Sequence, residues 1–124
     1  LRDVPRHFDQ HIANMRAGLA RGFSVPRAVL VGRDGSIARV AELEDPEASN
    51  LYDPYRRMPA SIPAAEQAAL RADARAAIRE AVVPAFAQLL RFYRDEYVPH
   101  ARTTLAAEAM PDGPAWYREQ IRKY

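Results

Sequence analysis

The sequence contains no cysteine, and Lys123 is its single lysine. Without cysteine, the chain has no disulfide, no thiolate metal ligand and no cysteine nucleophile. No apolar stretch approaches the roughly 20 residues needed to cross a bilayer, so we expect no membrane span. These absences leave the compartment open.

The charge is nearly balanced, because 18 Lys and Arg residues face 16 Asp and Glu residues, for a formal net charge of +2. A nucleic-acid interface needs a basic stripe with little acid beside it. We therefore expect no nucleic-acid partner. Hydrophobic residues make up 48% of the 124 residues, and many of these are alanines, which favour helix formation more than deep packing.

Apolar spacing predicts an all-α fold, an antiparallel helical bundle-like arrangement in which one helix is long. Phe8, Ile12, Met15 and Leu19 recur at steps of four, three and four, which predicts a helix over about residues 5–21. Gly22 follows as a candidate C-terminal cap.

The same rhythm continues from residue 64 to residue 97, with Pro84 inside it. A proline at that position leaves the Glu80 carbonyl without a helical partner, so we predict a long helix kinked at residue 84. Pro99 is expected to end this helix, because a proline pushes the preceding Val98 out of helical geometry.

Residues 28–43 fit two structures equally well. One is a hairpin that turns at Asp34-Gly35, and the other is a helix over about residues 27–43. The four prolines between residues 45 and 63 predict a long proline-rich loop, which Tyr52 and Tyr55 are expected to pin to the core. A last helix is predicted over residues 114–124, with a buried side made of Trp116, Tyr117, Gln120, Ile121 and Tyr124.

His7 and His11 stand four residues apart on the first predicted helix, within reach of one metal ion. The zincin motif is not met, because Phe8 occupies the position of its glutamate and Gln10 that of the inverted form. The sequence therefore predicts no catalytic residue and no metal site in this chain. We expect the two histidines to be partly exposed to water. The alternative is that His7 and His11 together bind a metal ion weakly.

Charged residues form two further groups. Arg71, Arg75 and Arg79 repeat a positive charge every four residues, which is unfavourable on an isolated helix. We hypothesise that this arginine column meets acidic residues elsewhere, either the rim of four carboxylates between Glu42 and Glu47 or another part of a larger protein. The rim itself lacks the spacing and central glycine of a calcium loop.

Several motifs in order resemble the bacterial family filed as domain of unknown function eight hundred and eighty-five. The motifs are Met15-Arg16-Ala17-Gly18-Leu19-Ala20-Arg21-Gly22-Phe23, Val25-Pro26-Arg27, Met58-Pro59-Ala60-Ser61-Ile62-Pro63, Val83-Pro84-Ala85-Phe86, Phe92-Tyr93-Arg94-Asp95-Glu96-Tyr97, and Met110-Pro111-Asp112-Gly113 before Trp116-Tyr117. The resemblance favours the helix over the hairpin at residues 28–43.

Members of that family resemble all-helical zinc metallopeptidases of the carboxypeptidase Taq type, whose zinc-binding helix would lie downstream of the Pro-Asp-Gly segment. The resemblance implies zinc for a parent protein, no cofactor in this chain, and a parent that is exported or anchored as a lipoprotein. Tyr117 is then a candidate to contact a peptide substrate.

The helical pattern is still running at Tyr124 and the first residue is Leu1, so we expect the chain to be a fragment of such a parent. It would be a non-catalytic segment in the wall of the substrate cleft, whose partners are the rest of the parent and the peptide. The alternative is a helical protein-interaction module without enzymatic role, and self-association is possible in either case.

Overall fold

The computed structural model describes residues 1–123, so Tyr124 and its predicted place on the last helix lie outside the described residues. No strand occurs within residues 1–123, and the helices pack on each other. The all-α fold class is confirmed, and the hairpin alternative is excluded. The α-helices are α1 Val4–Ala20, α2 Arg27–Leu30, α3 Gly35–Ala41, α4 Asp53–Arg56, α5 Ala64–Ala77, α6 Val83–Phe92, α7 Val98–His100 and α8 Gly113–Arg122.

Helix α1 ends in a Schellman motif at Gly22. Its backbone has a φ of 77°, a value that glycine adopts without steric cost. The N–H of Phe23 donates to the Gly18 carbonyl at 2.8 Å, and the N–H of Gly22 donates to the Leu19 carbonyl at 3.0 Å. These two bonds satisfy carbonyls that the helix end would otherwise leave unpaired.

The segment predicted as one helix over residues 27–43 consists of two short helices, α2 and α3. A turn separates them, in which Val31 is extended and Gly32 has a φ of 73°. Helical spacing of the apolar residues was preserved across this turn, so the apolar pattern alone did not reveal the interruption.

The proline-rich segment at residues 45–63 contains two 3-10 turns, Pro46–Ala48 and Asn50–Tyr52, followed by α4. Tyr52 is 2% exposed and packs with Ala74 and Ile78. The aromatic residues of this segment therefore hold it against α5.

Helices α5, α6 and α7 form one continuous helical rod over residues 64–100, joined by π-helical turns at Ile78–Val82 and Tyr93–Tyr97. Each π turn directly precedes a Val-Pro pair. The N–H groups of Val83 and Val98 donate to the carbonyls of Ile78 and Tyr93, five residues earlier. A π turn inserts one residue before the proline and so accommodates the ring and the missing N–H.

The prediction that Pro99 ends the helix at Val98 is wrong. Val98 has helical angles, with φ −63° and ψ −46°, and the chain turns extended at Ala101. The clash that a proline imposes on the preceding residue is relieved here by the π turn at Tyr93–Tyr97.

The helices pack on the rod in both directions. Asp9 of α1 pairs with Gln88 of the rod, and Arg16, further along α1, pairs with Glu96, further along the rod. Helix α1 therefore runs parallel to the rod. Helix α3 runs antiparallel, as the predicted arrangement requires, because Asp34 before it binds Arg94 while Leu43 after it packs near Ile78. Residues 21–63 connect α1 to the rod, and these 43 residues are enough to bring the chain back so that the two elements run parallel.

Two clusters of buried side chains lie in the core. The first has Ile12, Phe92 and Tyr97 at its centre, with Met15, Leu19, Leu30, Leu89 and Tyr93 around it. The second has Tyr52, Ala74 and Ile78 at its centre, with Leu43, Leu51, Tyr55 and Val83 around it. In the part of the chain that the structure covers, no helix is both long and apolar enough to span a bilayer.

Candidate functional site

The histidine pair lies on the exposed side of α1. The two Nε2 atoms of His7 and His11 are 3.1 Å apart, and the rings meet edge to face with their centroids 4.3 Å apart. Both rings are solvent-exposed, whereas Ile12 on the neighbouring face of the helix is buried. The helix therefore places the two imidazoles next to each other on its solvent side.

A shallow recess opens beside His7. It is lined by Leu1, Asp3, Val4, Arg6, His7 and Gln10. The Asp3 carboxylate lies 3.8 Å from the Arg6 guanidinium and is 89% exposed. Across residues 1–123, no group of three or more His, Cys, Asp or Glu side chains is placed to hold a metal ion.

The predicted buried side of α8 is wrong for the residues described. Trp116, Tyr117 and Ile121 are 50%, 52% and 59% exposed. Gln120 is half-buried, and Gly113 is the buried residue of the helix. The helical spacing of apolar residues shows which side of α8 is apolar, but it does not show whether another element covers that side. We call the exposed side chains of Trp116, Tyr117 and Ile121 the α8 face.

The start of α8 packs closely against the loop before it. The N–H of Gly113 donates to the Met110 carbonyl at 2.8 Å, and a Cβ at Gly113 would collide with the Ala107 carbonyl and the Glu108 backbone. Asp112 precedes the helix with a φ of 55°, a left-handed conformation that aspartate tolerates. The loop thus packs against the first turn of α8 and leaves the α8 face exposed to solvent.

A polar groove runs between α1 and the rod. The Arg16 guanidinium donates two hydrogen bonds to the Glu96 carboxylate, from Nε to Oε2 at 2.7 Å and from Nη2 to Oε1 at 2.5 Å. It also lies over the Phe92 ring. Hydrogen bonding from Arg16 lowers the pKa of Glu96, against the opposing effect of burial. Gln88, Arg91 and Asp95 line the same groove.

The arginine column meets one acidic residue of the rim. Arg75 Nη1 lies 2.9 Å from Glu47 Oε1 and donates to the Tyr52 hydroxyl at 3.1 Å. Arg71 donates instead to the Tyr55 carbonyl, at 3.0 Å. Arg71 and Arg75 therefore hold the proline-rich segment in place, which is a structural role.

Sequence reasoning missed the clasp that joins residues 24–27 to the end of the rod. The N–H of Arg27 donates to the Arg102 carbonyl at 2.8 Å, and the N–H of Arg102 donates to the Ser24 hydroxyl at 2.9 Å. Arg27 Nη2 also donates to the Pro99 carbonyl. The paired residues are more than 70 positions apart, so no local pattern signals the clasp.

The comparisons with known proteins give one family. The whole chain, residues 1–124, matches the family described as "Bacterial protein of unknown function (DUF885)". The comparisons with curated proteins and with solved structures gave no significant match. Since the match extends over every residue, the chain belongs to the DUF885 family of bacterial proteins.

Proposed function

We propose that this chain is a non-catalytic helical segment of a zinc-dependent peptidase and forms part of the wall of its substrate cleft. The observation that carries the proposal is the α8 face, an aromatic and aliphatic surface held in solvent by a fixed loop. Clefts that bind peptides are lined by aromatic and apolar side chains with a few polar groups.

Tyr117 supplies the polar group of that surface. Its side chain is half exposed, so the ring is available to pack on a substrate side chain and its hydroxyl to donate to a peptide carbonyl. Trp116 and Ile121 extend the apolar contact on either side. These residues bind and orient a peptide and take no part in bond cleavage.

The residues described do not fit a catalytic zinc. Such a site takes three protein ligands and a water, and within the described chain no three candidate ligands converge. The zinc and the general base of the proposed enzyme would therefore belong to another part of the parent protein.

The proposal is tested on the product of the intact gene, with a set of peptides of varied sequence and blocked or free termini. We expect peptide hydrolysis that a zinc chelator abolishes and added zinc restores. Hydrolysis that persists without zinc, or no hydrolysis of any peptide in the zinc-loaded protein, would overturn the proposal.

The role of Tyr117 has its own test in the same protein. Tyr117→Phe is expected to raise KM about fivefold with little change in kcat, which corresponds to the loss of one hydrogen bond of about 1 kcal/mol. Tyr55→Phe, whose side chain packs against the second core cluster, serves as the control. Unchanged kinetics in Tyr117→Phe would remove this residue from the site.

A second candidate function is that of a helical protein-interaction module without enzymatic role. The same α8 face favours it, because exposed clusters of large apolar residues mark interaction surfaces. Light scattering of the isolated chain over a range of concentrations tests this candidate. It predicts association that the double substitution Trp116→Ala and Ile121→Ala weakens, whereas a chain that remains monomeric at high concentration argues against self-association.

A further inference from the structure

We propose that His7 and His11 form a surface site for one divalent late first-row metal ion, Cu²⁺, Ni²⁺ or Zn²⁺, with water in the remaining coordination positions. The inference rests on the placement of the two imidazoles and is independent of the α8 face and of the proposed peptidase. It concerns a site within this chain.

The distance between the two nitrogens fits a chelate. Imidazole nitrogens bind these ions at about 2.0–2.1 Å, so two Nε2 atoms 3.1 Å apart subtend an angle of roughly 100° at a shared ion. That angle lies between the 90° of a square or octahedral site and the 109° of a tetrahedral one. The ion therefore needs no rearrangement of α1.

The two imidazoles already point at each other. The 3.1 Å separation is that of a hydrogen bond between the two Nε2 atoms, in which the tautomers of the rings set which one donates. Metal binding requires both Nε2 lone pairs, so each ring that binds the ion carries its hydrogen on Nδ1.

Helix α1 supplies the pre-organisation. Residues four apart are neighbours on a helix surface, and the turn that carries His7 is closed by its own N–H donating to the Asp3 carbonyl at 3.1 Å. Once one imidazole binds the ion, the second is held beside it at high effective concentration. The folded helix therefore binds the ion more tightly than either histidine alone.

The neighbouring residues set the choice of ion. Asp3 lies 3.8 Å from Arg6, and among the described residues no third His, Cys, Asp or Glu side chain joins the pair, so the ligand set is two imidazole nitrogens. Calcium and magnesium require oxygen ligands and are expected not to bind here. Among the imidazole-binding ions, Cu²⁺ should bind more tightly than Ni²⁺ or Zn²⁺.

Calorimetric titration of the untagged 124-residue chain tests the site, with copper, nickel and zinc chloride added separately in a buffer that does not coordinate metals. We expect one ion per chain. His7→Ala and His11→Ala should each weaken binding by at least about tenfold, a change of about 1.4 kcal/mol in binding free energy. His100→Ala is the matched control, because His100 is an exposed histidine whose Nδ1 contacts its own helix at the Glu96 carbonyl.

Nuclear magnetic resonance of the imidazole nitrogens in a zinc titration supplies a second readout. The Nε2 signals of His7 and His11 should shift together, and the signals of His100 should not. Circular dichroism checks that each variant keeps its helix content, which alanine favours, and His11→Gln repeats the test with a longer polar side chain.

Three results would overturn the proposal. They are no binding of any of the three ions, binding that survives in both His7→Ala and His11→Ala, and binding that His100→Ala weakens as much as they do. Tighter binding in the folded chain than in the urea-unfolded chain, together with the predicted ranking of variants, supports it.

Discussion

At the scale of single residues, the fold depends on a few buried side chains of the rod. Ile78 and Val82 have no exposed surface, and both lie in the π turn that precedes Pro84. Burial at an irregular turn fixes its geometry, because a widened turn exposes backbone unless side chains fill the space around it. These two residues therefore stabilise the position where the rod departs from α-helical geometry.

Ile78→Ala is expected to lower the free energy of unfolding by about 2–5 kcal/mol, since it removes buried methyl groups and leaves a cavity. Leu70→Ala on the same rod is the control, because Leu70 is 42% exposed and should cost no more than about 0.5 kcal/mol. Urea unfolding followed by circular dichroism measures both. Equal losses for the two variants would mean that the second core cluster is not packed as described.

Tyr93→Phe tests a hydrogen bond that crosses between elements. The Tyr93 hydroxyl donates to the Leu30 carbonyl at 2.7 Å, and burial raises the pKa of this phenol. The phenylalanine variant should lose about 1 kcal/mol of unfolding free energy, because the Leu30 carbonyl loses the hydroxyl and keeps the Arg33 N–H, which donates to it at 3.0 Å. A variant as stable as the parent in urea unfolding would show that the bond is not formed in solution.

At the scale of the elements, apolar periodicity predicted the rod and α1, and it misplaced the ends and interruptions. Repeats of three and four residues depend on side chains alone, so they survive both the turn at Gly32 and the π turn before Pro99. The backbone bonds that close those turns, from the Arg33 N–H to the Leu30 carbonyl and from the Val98 N–H to the Tyr93 carbonyl, leave no mark on the spacing of apolar side chains. The Schellman motif at Gly22 was predictable, because all its bonds lie within six residues.

Acid should loosen the pairing of α1 and α3 with the rod. Hydrogen bonds from Arg16 and Arg94 lower the pKa of Glu96 and of Asp34 respectively. A carboxyl with a lowered folded pKa stabilises the fold above its unfolded pKa, about 4, and that stabilisation is lost as the pH falls through the folded pKa.

We therefore expect the melting temperature to fall below about pH 4. In the double variant Glu96→Gln and Asp34→Asn, this fall should be smaller, because the two carboxyls no longer contribute to it. Glu66→Gln is the control, because Glu66 is an exposed residue at the start of α5. A double variant that melts in parallel with the parent from pH 7 to pH 3 would contradict the assignment.

Alanine substitutions at Gly22 and Gly32 test whether the loop before α8 packs against the end of α1. Gly22 and Gly32 both have positive φ, at 77° and 73°, so alanine should cost about 1 kcal/mol at each through backbone strain. A Cβ at Gly22 would also lie 3.3 Å from the Pro111 ring, whereas one at Gly32 meets nothing within 4 Å.

The loss of unfolding free energy should therefore be larger for Gly22→Ala than for Gly32→Ala. Hydrogen exchange at the Gly113 N–H should speed up in Gly22→Ala alone. Equal effects of both substitutions on this exchange rate would mean that the end of α1 does not support the loop.

At the scale of the whole molecule, the chain is a rod of residues 64–100 with α1 and α3 packed along it and α8 held at one end by its first turn. The amphipathic pattern of α8 was readable from the sequence, and its exposure was not. A pattern indicates which side of a helix is apolar, and only the three-dimensional arrangement decides what covers that side. The histidine pair was readable as a spacing, and the structure adds the 3.1 Å distance on which the proposed metal site rests.

Membership in the DUF885 family covers the whole chain, and the proposed place of the chain in the wall of a peptidase cleft rests on the α8 face. Photo-crosslinking in the product of the intact gene tests that place most directly. Benzoylphenylalanine is put in place of Tyr117, and for comparison in place of Val29, whose exposure of 52% equals that of Tyr117. Light is applied in the presence of a labelled peptide that the protein hydrolyses.

We predict a crosslink to the peptide from position 117, competed away by unlabelled peptide, and none from position 29. Equal labelling from the two positions, or a crosslink from position 117 to another protein chain and none to the peptide, would contradict the account.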